Sequence, residues 1–463
     1  MLKITNPYTQ ETLAELPESS EMDLKEALEQ SVAIVADGSK HLSAHQRIKI
    51  LQNAKELLRI RFMEVVQTAT LEGGKPITDT VVEVERAING IQLTIDAVAQ
   101  LKGDQVPMGL TPASEGRLGF TYREPIGVVA AISAFNHPVN LIVHQAVTAI
   151  GAGCPVIVKP SLKTPMSCQL IQEIFIQSGL PEAWFQILLC DDATAERLAT
   201  SAQINFLSFI GSAKVGWALK NKLAPGVRCA LEHGGLAPVL INEDIDLKEV
   251  VPSLAKGAFY HAGQVCVSVQ RIYAKKGVAS QLAGQLAEYA RSMKVGDPLE
   301  KDTAIGPLID NAQVERIHSW VQEAIDHGAQ VLTGGKPLSH NTYAPTVLYS
   351  PSEESLISRE EVFGPVVAVY PVEDMEEAVV RANQIPYHFQ AAVFSNDINW
   401  ILKKVKQLNA AAVMVNDHSA FRVDWMPFGG RSQSGYGVGG ILQTMKDLTQ
   451  EKLVVIKSEG NTF

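Results

Sequence analysis

The chain has 463 residues, 46% of them apolar and 19% charged, with a formal net charge of −10. That much apolar surface closes a large core and divides into two or three domains, which excludes a disordered chain. The acidic balance argues against a nucleic-acid backbone or an anionic lipid as the main partner, because both favour basic footprints.

In chain order, the first twenty residues, MLKITNPYTQETLAELPESS, lack the apolar core of a secretory signal. No window is apolar for long enough to span a bilayer, so a soluble, cytoplasmic protein is expected. The stretch SAHQRIKILQNAKELLRIRFMEVVQTATLEGGKP offers Ser43 as an N-cap, with apolar residues following at Ile48, Leu51, Leu58, Phe62 and Val65. Gly73, Gly74 and Pro76 then end the run, so one amphipathic helix is predicted. A second helix is predicted over DTVVEVERAINGIQLTIDAVAQL, and the Gly- and Pro-rich GDQVPMGLTPASEGRLGFTYREP after it reads as a β-hairpin excursion.

From there short apolar runs recur: IGVVAAIS, CPVIVKP, FQILLC, INFLSFIG, CALEHGG and APVLIN. Helix-like stretches separate several of them, the pattern of strands buried on both faces of a parallel sheet in α/β alternation. QRIYAK and AAVMVN continue the style in the second half, with NAQVERIHSWVQEAIDHG a helix between them. The C-terminal EKLVVIKSE is a lone strand candidate, whose partner is either the hairpin excursion or another subunit.

Chemistry-bearing residues gather at the ends of these runs. In INFLSFIGSAKVGWALK, Gly211 and Gly216 frame a strand–turn–helix passage of the kind that brings backbone N–H groups to a phosphate, although Gly-Ser turns that bind nothing are common. Lys159 leaves a buried strand in VIVKPSLKTP, either to reach ribose hydroxyls or simply to be solvated. Glu232 in CALEHGG is a solvated edge residue or a proton acceptor, and Asn136 in ISAFNHP is a turn former or an oxyanion donor. Five cysteines, Cys154, Cys168, Cys190, Cys229 and Cys266, are scattered with no CxxC pair, which suggests neither a disulfide framework nor a structural zinc site. His233, His261 and His418 lack ligand-like spacing, and no metal is expected.

Taken together these segments resemble the aldehyde dehydrogenase superfamily, and the resemblance runs over nearly the whole chain. FNHP, VKP, GSAKVG, EHGG, GQVC, EVFGP and MPFGGRSQSGYG stand in family order, and the interval between Glu232 and Cys266 is the usual one. The implied fold is α/β: a Rossmann-type cofactor domain (1–101 and 124–233), an α/β catalytic domain (234–432), and a small β oligomerisation hairpin with its C-terminal strand (102–123 and 445–463). By the same resemblance Cys266 is the nucleophile, Asn136 and the Cys266 N–H hold the oxyanion, Glu232 is the general base, and Lys159 is counted with them among the catalytic residues. NAD or NADP would be held by Ser133, Ala134, Phe135, Lys159, Ser161, Gly211, Ser212, Gly216, Glu232, Glu361 and Phe363.

The implied activity is NAD(P)-dependent oxidation of a small aldehyde to the acid, through a thiohemiacetal and a thioester, in a homodimer or homotetramer. The alternatives are a reductive or CoA-acylating semialdehyde dehydrogenase and a non-catalytic binding protein of the same fold. Leu162 stands where many NAD-preferring members have glutamate, which lifts a like-charge penalty against NADP and leaves the preference open. NDHSAFRVDWMPFGG resembles the branch acting on lactaldehyde, glyceraldehyde phosphate and phosphonoacetaldehyde. Arg86, His137 and Arg422 are therefore the candidates to hold an anionic group, with Arg86 alternatively an ion-pair partner of Glu83 or Glu85.

Overall fold

Ser43 starts a helix as its sequence context requires: its hydroxyl accepts from the Gln46 N–H, and the Gln46 side chain accepts from the Ser43 N–H. The expected single helix is two, Ala44–Ile60 and Phe62–Gly73. The break falls at Arg61, whose guanidinium is forked onto Glu64 and also reaches Glu173. Gly74 closes the second helix at φ 69°, and a Cβ there would lie 2.7 Å from Pro307. The next helix, Ile77–Val98, packs its buried face against both. This computed structural model describes residues 1–457, and the last six residues of the expected C-terminal segment lie outside them.

Two large sheets carry the rest. The first has strand order Gly435–Tyr436, Arg228–Glu232, Phe206–Ile210, Val129–Ile132, Val156–Lys159, Phe185–Ile187, parallel except at its first pair. Alternate residues of these strands enter two different cores, Val129, Ala131, Val156 and Val158 on one face and Ala130, Ile132, Ile157 and Leu207 on the other. Burial on both faces is why the sequence runs are continuously apolar instead of alternating. The chain leaves Val129–Ile132 toward one edge and later returns to its other side at Phe206–Ile210. That reversal opens a crevice at the strands' carboxyl ends.

The second sheet is ordered Gln330–Thr333, Thr346–Tyr349, Val366–Val372, Val269–Lys275, Ala237–Ile241, Gln390–Phe394, Ala412–Val415, with only the first pair antiparallel. It encloses a separate core.

The C-terminal strand Thr449–Lys457 pairs antiparallel with Arg117–Pro125, from Thr449 opposite Pro125 to Lys457 opposite Arg117. Of its two expected partners, the excursion is the one it meets. Sequence patterning did not anticipate the N-terminal hairpin of Leu2–Thr5 and Thr12–Leu16, whose residues are mostly exposed or half-buried. Among the described residues, no helix is long and apolar enough to cross a membrane.

Candidate active site

A cavity of about 410 Å3 opens where the carboxyl ends of the first sheet face the second. The first sheet's strand ends supply Ser133, Ala134, Phe135, Asn136 and His137, then Lys159 and Ser161, then Gly211 and Ser212, and finally Glu232. From the other side come Cys266, Glu361, Phe363 and Arg422, and helix Ile77–Val98 adds Arg86. Every site residue anticipated from sequence lines this space except Gly216.

Cys266 follows a sharp reversal between helix Leu247–Phe259 and strand Val269–Lys275. His261, Ala262 and Gly263 all take left-handed backbone angles (φ 48°, 53° and 70°). A Cβ at Gly263 would lie 2.0 Å from the Gly364 carbonyl oxygen, so this position admits only glycine. The preceding Gln264 is buried and fastens the turn: its side-chain oxygen accepts from Ile309 N–H and its amide donates to the His261 and Pro307 carbonyls. Its backbone carbonyl accepts from Asn136 Nδ2 at 2.9 Å. One Asn136 amide proton is thus fixed beside the nucleophile, which leaves the other for a substrate oxygen. Burial, and then the carboxylates of Glu232 and Glu361, push the Cys266 thiol well above the ordinary thiol range. The resting group is the neutral thiol.

Burial also raises Glu232, opposed by Arg422, whose Nη1 lies 4.0 Å from Glu232 Oε1. The Gly-Gly pair after Glu232 has a steric cause: a Cβ on Gly234 would fall 2.0 Å from Glu361 Oε2, and one on Gly235 2.9 Å from Phe389 Cβ. Glu361 is pushed up to about 8 by burial, and its Oε1 has no hydrogen-bond partner.

These unsatisfied groups fit a dinucleotide. The Ser133 hydroxyl and Glu361 Oε1 are buried without partners, Phe135 and Phe363 meet edge to face at 5.8 Å, and Lys159 is held at the rim. Ser212 caps helix Ala213–Asn221 with no side-chain hydrogen bond, so the first-turn N–H groups stay available to an anion. Gly216, expected near the pyrophosphate, does not line the cavity. It sits in that helix's first turns, where a Cβ would come 1.9 Å from His233 Cε1, and His233 in turn bonds the Gly211 carbonyl through Nδ1 at 3.0 Å. The glycine lets the helix close onto the imidazole that braces the turn.

The three candidate anion-binding groups differ sharply. Arg86 is the ion-pair member it could have been, but its partner is neither Glu83 nor Glu85: Nε and Nη2 donate to the two oxygens of Asp424 at 3.0 and 2.7 Å. Glu83 is engaged by Lys75 and by the N–H groups of Val139 and Asn140, which fixes the turn after Asn136. His137 meets the Tyr260 hydroxyl at 3.1 Å, and burial followed by the charge of Lys75 drives it well below the ordinary histidine range. It is a neutral hydrogen-bonding ring. Arg422 keeps donors unassigned without a hydrogen-bonded carboxylate: it stacks 3.5 Å from the Phe428 ring centroid, and its Nε is buried without a partner.

Asp424, which sequence reasoning missed, also accepts from Asn140 Nδ2 and His144 Nε2. Burial works against its charge, but the hydrogen bonds from His144 and Arg86 hold its carboxyl far below the usual range. The only sequence signal was an isolated acid inside the otherwise apolar VDWMPF.

The sequence profile described as the aldehyde dehydrogenase family matches residues 1–454. A 3-sulfolactaldehyde dehydrogenase of Priestia megaterium is 34% identical over 458 residues, 98% of this chain and 94% of its own length. A lactaldehyde dehydrogenase of Methanocaldococcus jannaschii is 33% identical over 460 residues, 98% of this chain and 97% of its own. Among solved structures, aldehyde dehydrogenase 21 of Physcomitrella patens with its reaction product succinate superposes with a TM-score of 0.95 at 32% identity, covering 99% of this chain and 95% of that one. Glyceraldehyde-3-phosphate dehydrogenase GapN of Methanocaldococcus jannaschii complexed with NADP gives 0.94 at 33% identity, covering 99% of both chains.

Proposed function

The chain belongs to the aldehyde dehydrogenase family, and from that premise we propose that it oxidises a small anionic aldehyde to the free carboxylic acid with NAD or NADP. The observation that carries this reading is the meeting of Cys266, Asn136 and Glu232 in one cavity with unsatisfied polar groups beside them. Cys266 sulfur gives its proton to Glu232, which releases it to solvent before the hydrolytic step, and adds to the aldehyde carbon. The free Asn136 amide proton and the Cys266 N–H stabilise the oxyanion that forms. When bound, the nicotinamide supplies the acceptor for the hydride leaving that carbon. Glu232 then removes a proton from the water that hydrolyses the acyl-Cys266 thioester, and its burial-raised affinity for protons suits it to the task.

Ser133, Phe135, Lys159, Ser161, Gly211, Ser212, Glu361 and Phe363 are assigned to the cofactor. For the anionic end of the substrate, the unassigned donors of Arg422 are the support, with Arg86 behind it already neutralised by Asp424. The name of one relative, a 3-sulfolactaldehyde dehydrogenase, supports the same reading. Exposed Leu453, Val455 and Ile456 on strand Thr449–Lys457 support a homo-oligomer.

The test is a panel of neutral and anionic aldehydes compared by kcat/KM with both cofactors, alongside mass spectrometry of enzyme quenched during turnover. An acyl adduct on Cys266 is expected, and Glu232→Gln should give one burst of reduced cofactor followed by a steady rate lower by about 10²–10⁴-fold. Steady turnover by Cys266→Ala at the wild-type rate would end this reading.

A further inference from the structure

Arg422 faces two ways. Its Nη1 is 4.0 Å from Glu232 Oε1 and its Nε is 4.0 Å from Asp424 Oδ1, yet neither contact is a hydrogen bond, and its Nε is a buried donor with no acceptor. Glu232 and Arg422 both line the cavity that holds Cys266. We propose that Arg422 couples substrate recognition to catalysis. An anionic group captured by Arg422 offsets the positive charge beside Glu232, so the acyl group of an anionic aldehyde is hydrolysed by a stronger base than that of a neutral one. This rests on the readings of Glu232 as base and Arg422 as anion receptor.

The surroundings of Glu232 leave Arg422 as the cation that can be modulated. On its own strand end, His233 is turned away to the Gly211 carbonyl. From the nucleophile turn comes the Cys266 thiol, from the antiparallel edge Gly435, and from the chain just beyond it Gly439, neither glycine carrying a charge. Behind Arg422 lie Arg86, on helix Ile77–Val98, and Asp424, which pair with each other, and His144, which bonds the same carboxylate. Glu361 lies over Gly234 and acts on Cys266. An opposite charge within this distance shifts a carboxylate by about one to three pH units, so cancelling it is a large perturbation. In the hydrolysis itself the water oxygen bonds to the acyl carbon, the water's proton passes to Glu232, and the carbon–sulfur bond breaks with return of a proton to Cys266. No other reactant is needed.

Lactaldehyde and 3-sulfolactaldehyde form a suitable pair, since they differ by one sulfonate that stays ionised throughout the assay range. The post-burst steady rate of the full-length enzyme is measured with each from pH 5 to pH 9. The acid-limb midpoint should lie about one unit higher with the sulfonate, a roughly tenfold difference in the proton concentration that halves the rate. Arg422→Met should raise the lactaldehyde midpoint to meet the sulfonate one, and Arg422→Lys, which keeps the charge, should leave it low. Coincident wild-type midpoints, a comparison that requires no variant to fold, overturn the proposal. If Glu232→Gln turns over steadily, the base assignment fails and the coupling with it. If Arg422→Met leaves the kcat/KM ratio of the two aldehydes unchanged, the anion reading fails instead.

Discussion

The end of the cavity proposed for the nucleotide and the end proposed for the aldehyde are assembled on different principles. At the nucleotide end most groups leave the carboxyl end of a buried parallel strand, so Lys159, Gly211 and Ser212 are positioned by a ladder of backbone hydrogen bonds. At the aldehyde end Arg86, His137 and Arg422 come from a helix, a turn and a loop, and the two arginines are organised around Asp424, which is 1% exposed. The end proposed for the aldehyde rests on a buried charge network in which Asp424 serves Arg86, Asn140 and His144 at once.

Asp424→Asn should break that contrast most severely. Removing the charge leaves Arg86 and the His144 ring facing a neutral amide, and loss of one partner of a buried ion pair costs about 3–5 kcal/mol. Urea unfolding should show this, and the preference for anionic aldehydes should fall with it as Arg86 and Arg422 lose their common anchor. Unchanged unfolding would place the organising interaction elsewhere.

At the nucleotide end the comparable test is Gly216→Ala, where the added methyl meets His233 and overpacking costs up to about 3 kcal/mol. Here cofactor affinity should weaken while the ratio of kcat/KM between anionic and neutral aldehydes stays constant. A change in that ratio would mean that the two ends are not independent.

The pH dependence of stability sharpens the contrast. Burial, with the charge of Arg422 beside it, pushes His144 down to about 4. The unfolded ring takes up a proton below its ordinary value near 6.5, and the folded one only near 4. The stability it contributes is therefore fully present above pH 6.5 and is lost as the pH falls toward 4. At pH 5 the loss is roughly 2 kcal/mol, which His144→Gln should remove from the difference between unfolding curves at pH 7 and pH 5.

The smallest expected effect returns to the nucleotide end. Leu162→Glu should shift the NAD to NADP ratio of kcat/KM by about tenfold toward NAD, by placing a carboxylate against a 2′-phosphate. An unaltered ratio would show that Leu162 does not face the ribose.

That the residues assigned to the nucleotide line one cavity, Gly216 excepted, follows from features legible in advance. Their strands are apolar on both faces and end in Gly, Ser and Lys, signals contained within a few residues of chain. Cys266 was singled out by the family resemblance of GQVC, and the structure shows what fixes that turn: Gln264 is buried and bonds two other segments, at Asn136 and at Pro307 and Ile309. The first long helix was read through Arg61 because the apolar period continues across it; side-chain forks to Glu64 and Glu173 accompany the break, and period does not register them. Gly216 was read as a phosphate contact because glycine spacing cannot distinguish room for a ligand from room for His233.

By itself, then, the chain's pattern determined the α/β layering, the strand ends and the residues that follow them, because apolar period and turn chemistry act over distances shorter than one element. Only the tertiary structure decided that Thr449–Lys457 meets Arg117–Pro125, that Arg86 is neutralised across 338 residues by Asp424, and that Arg422 is left with free donors beside Glu232. Which buried charges meet is set by how whole elements pack, and no local stretch of sequence carries that information.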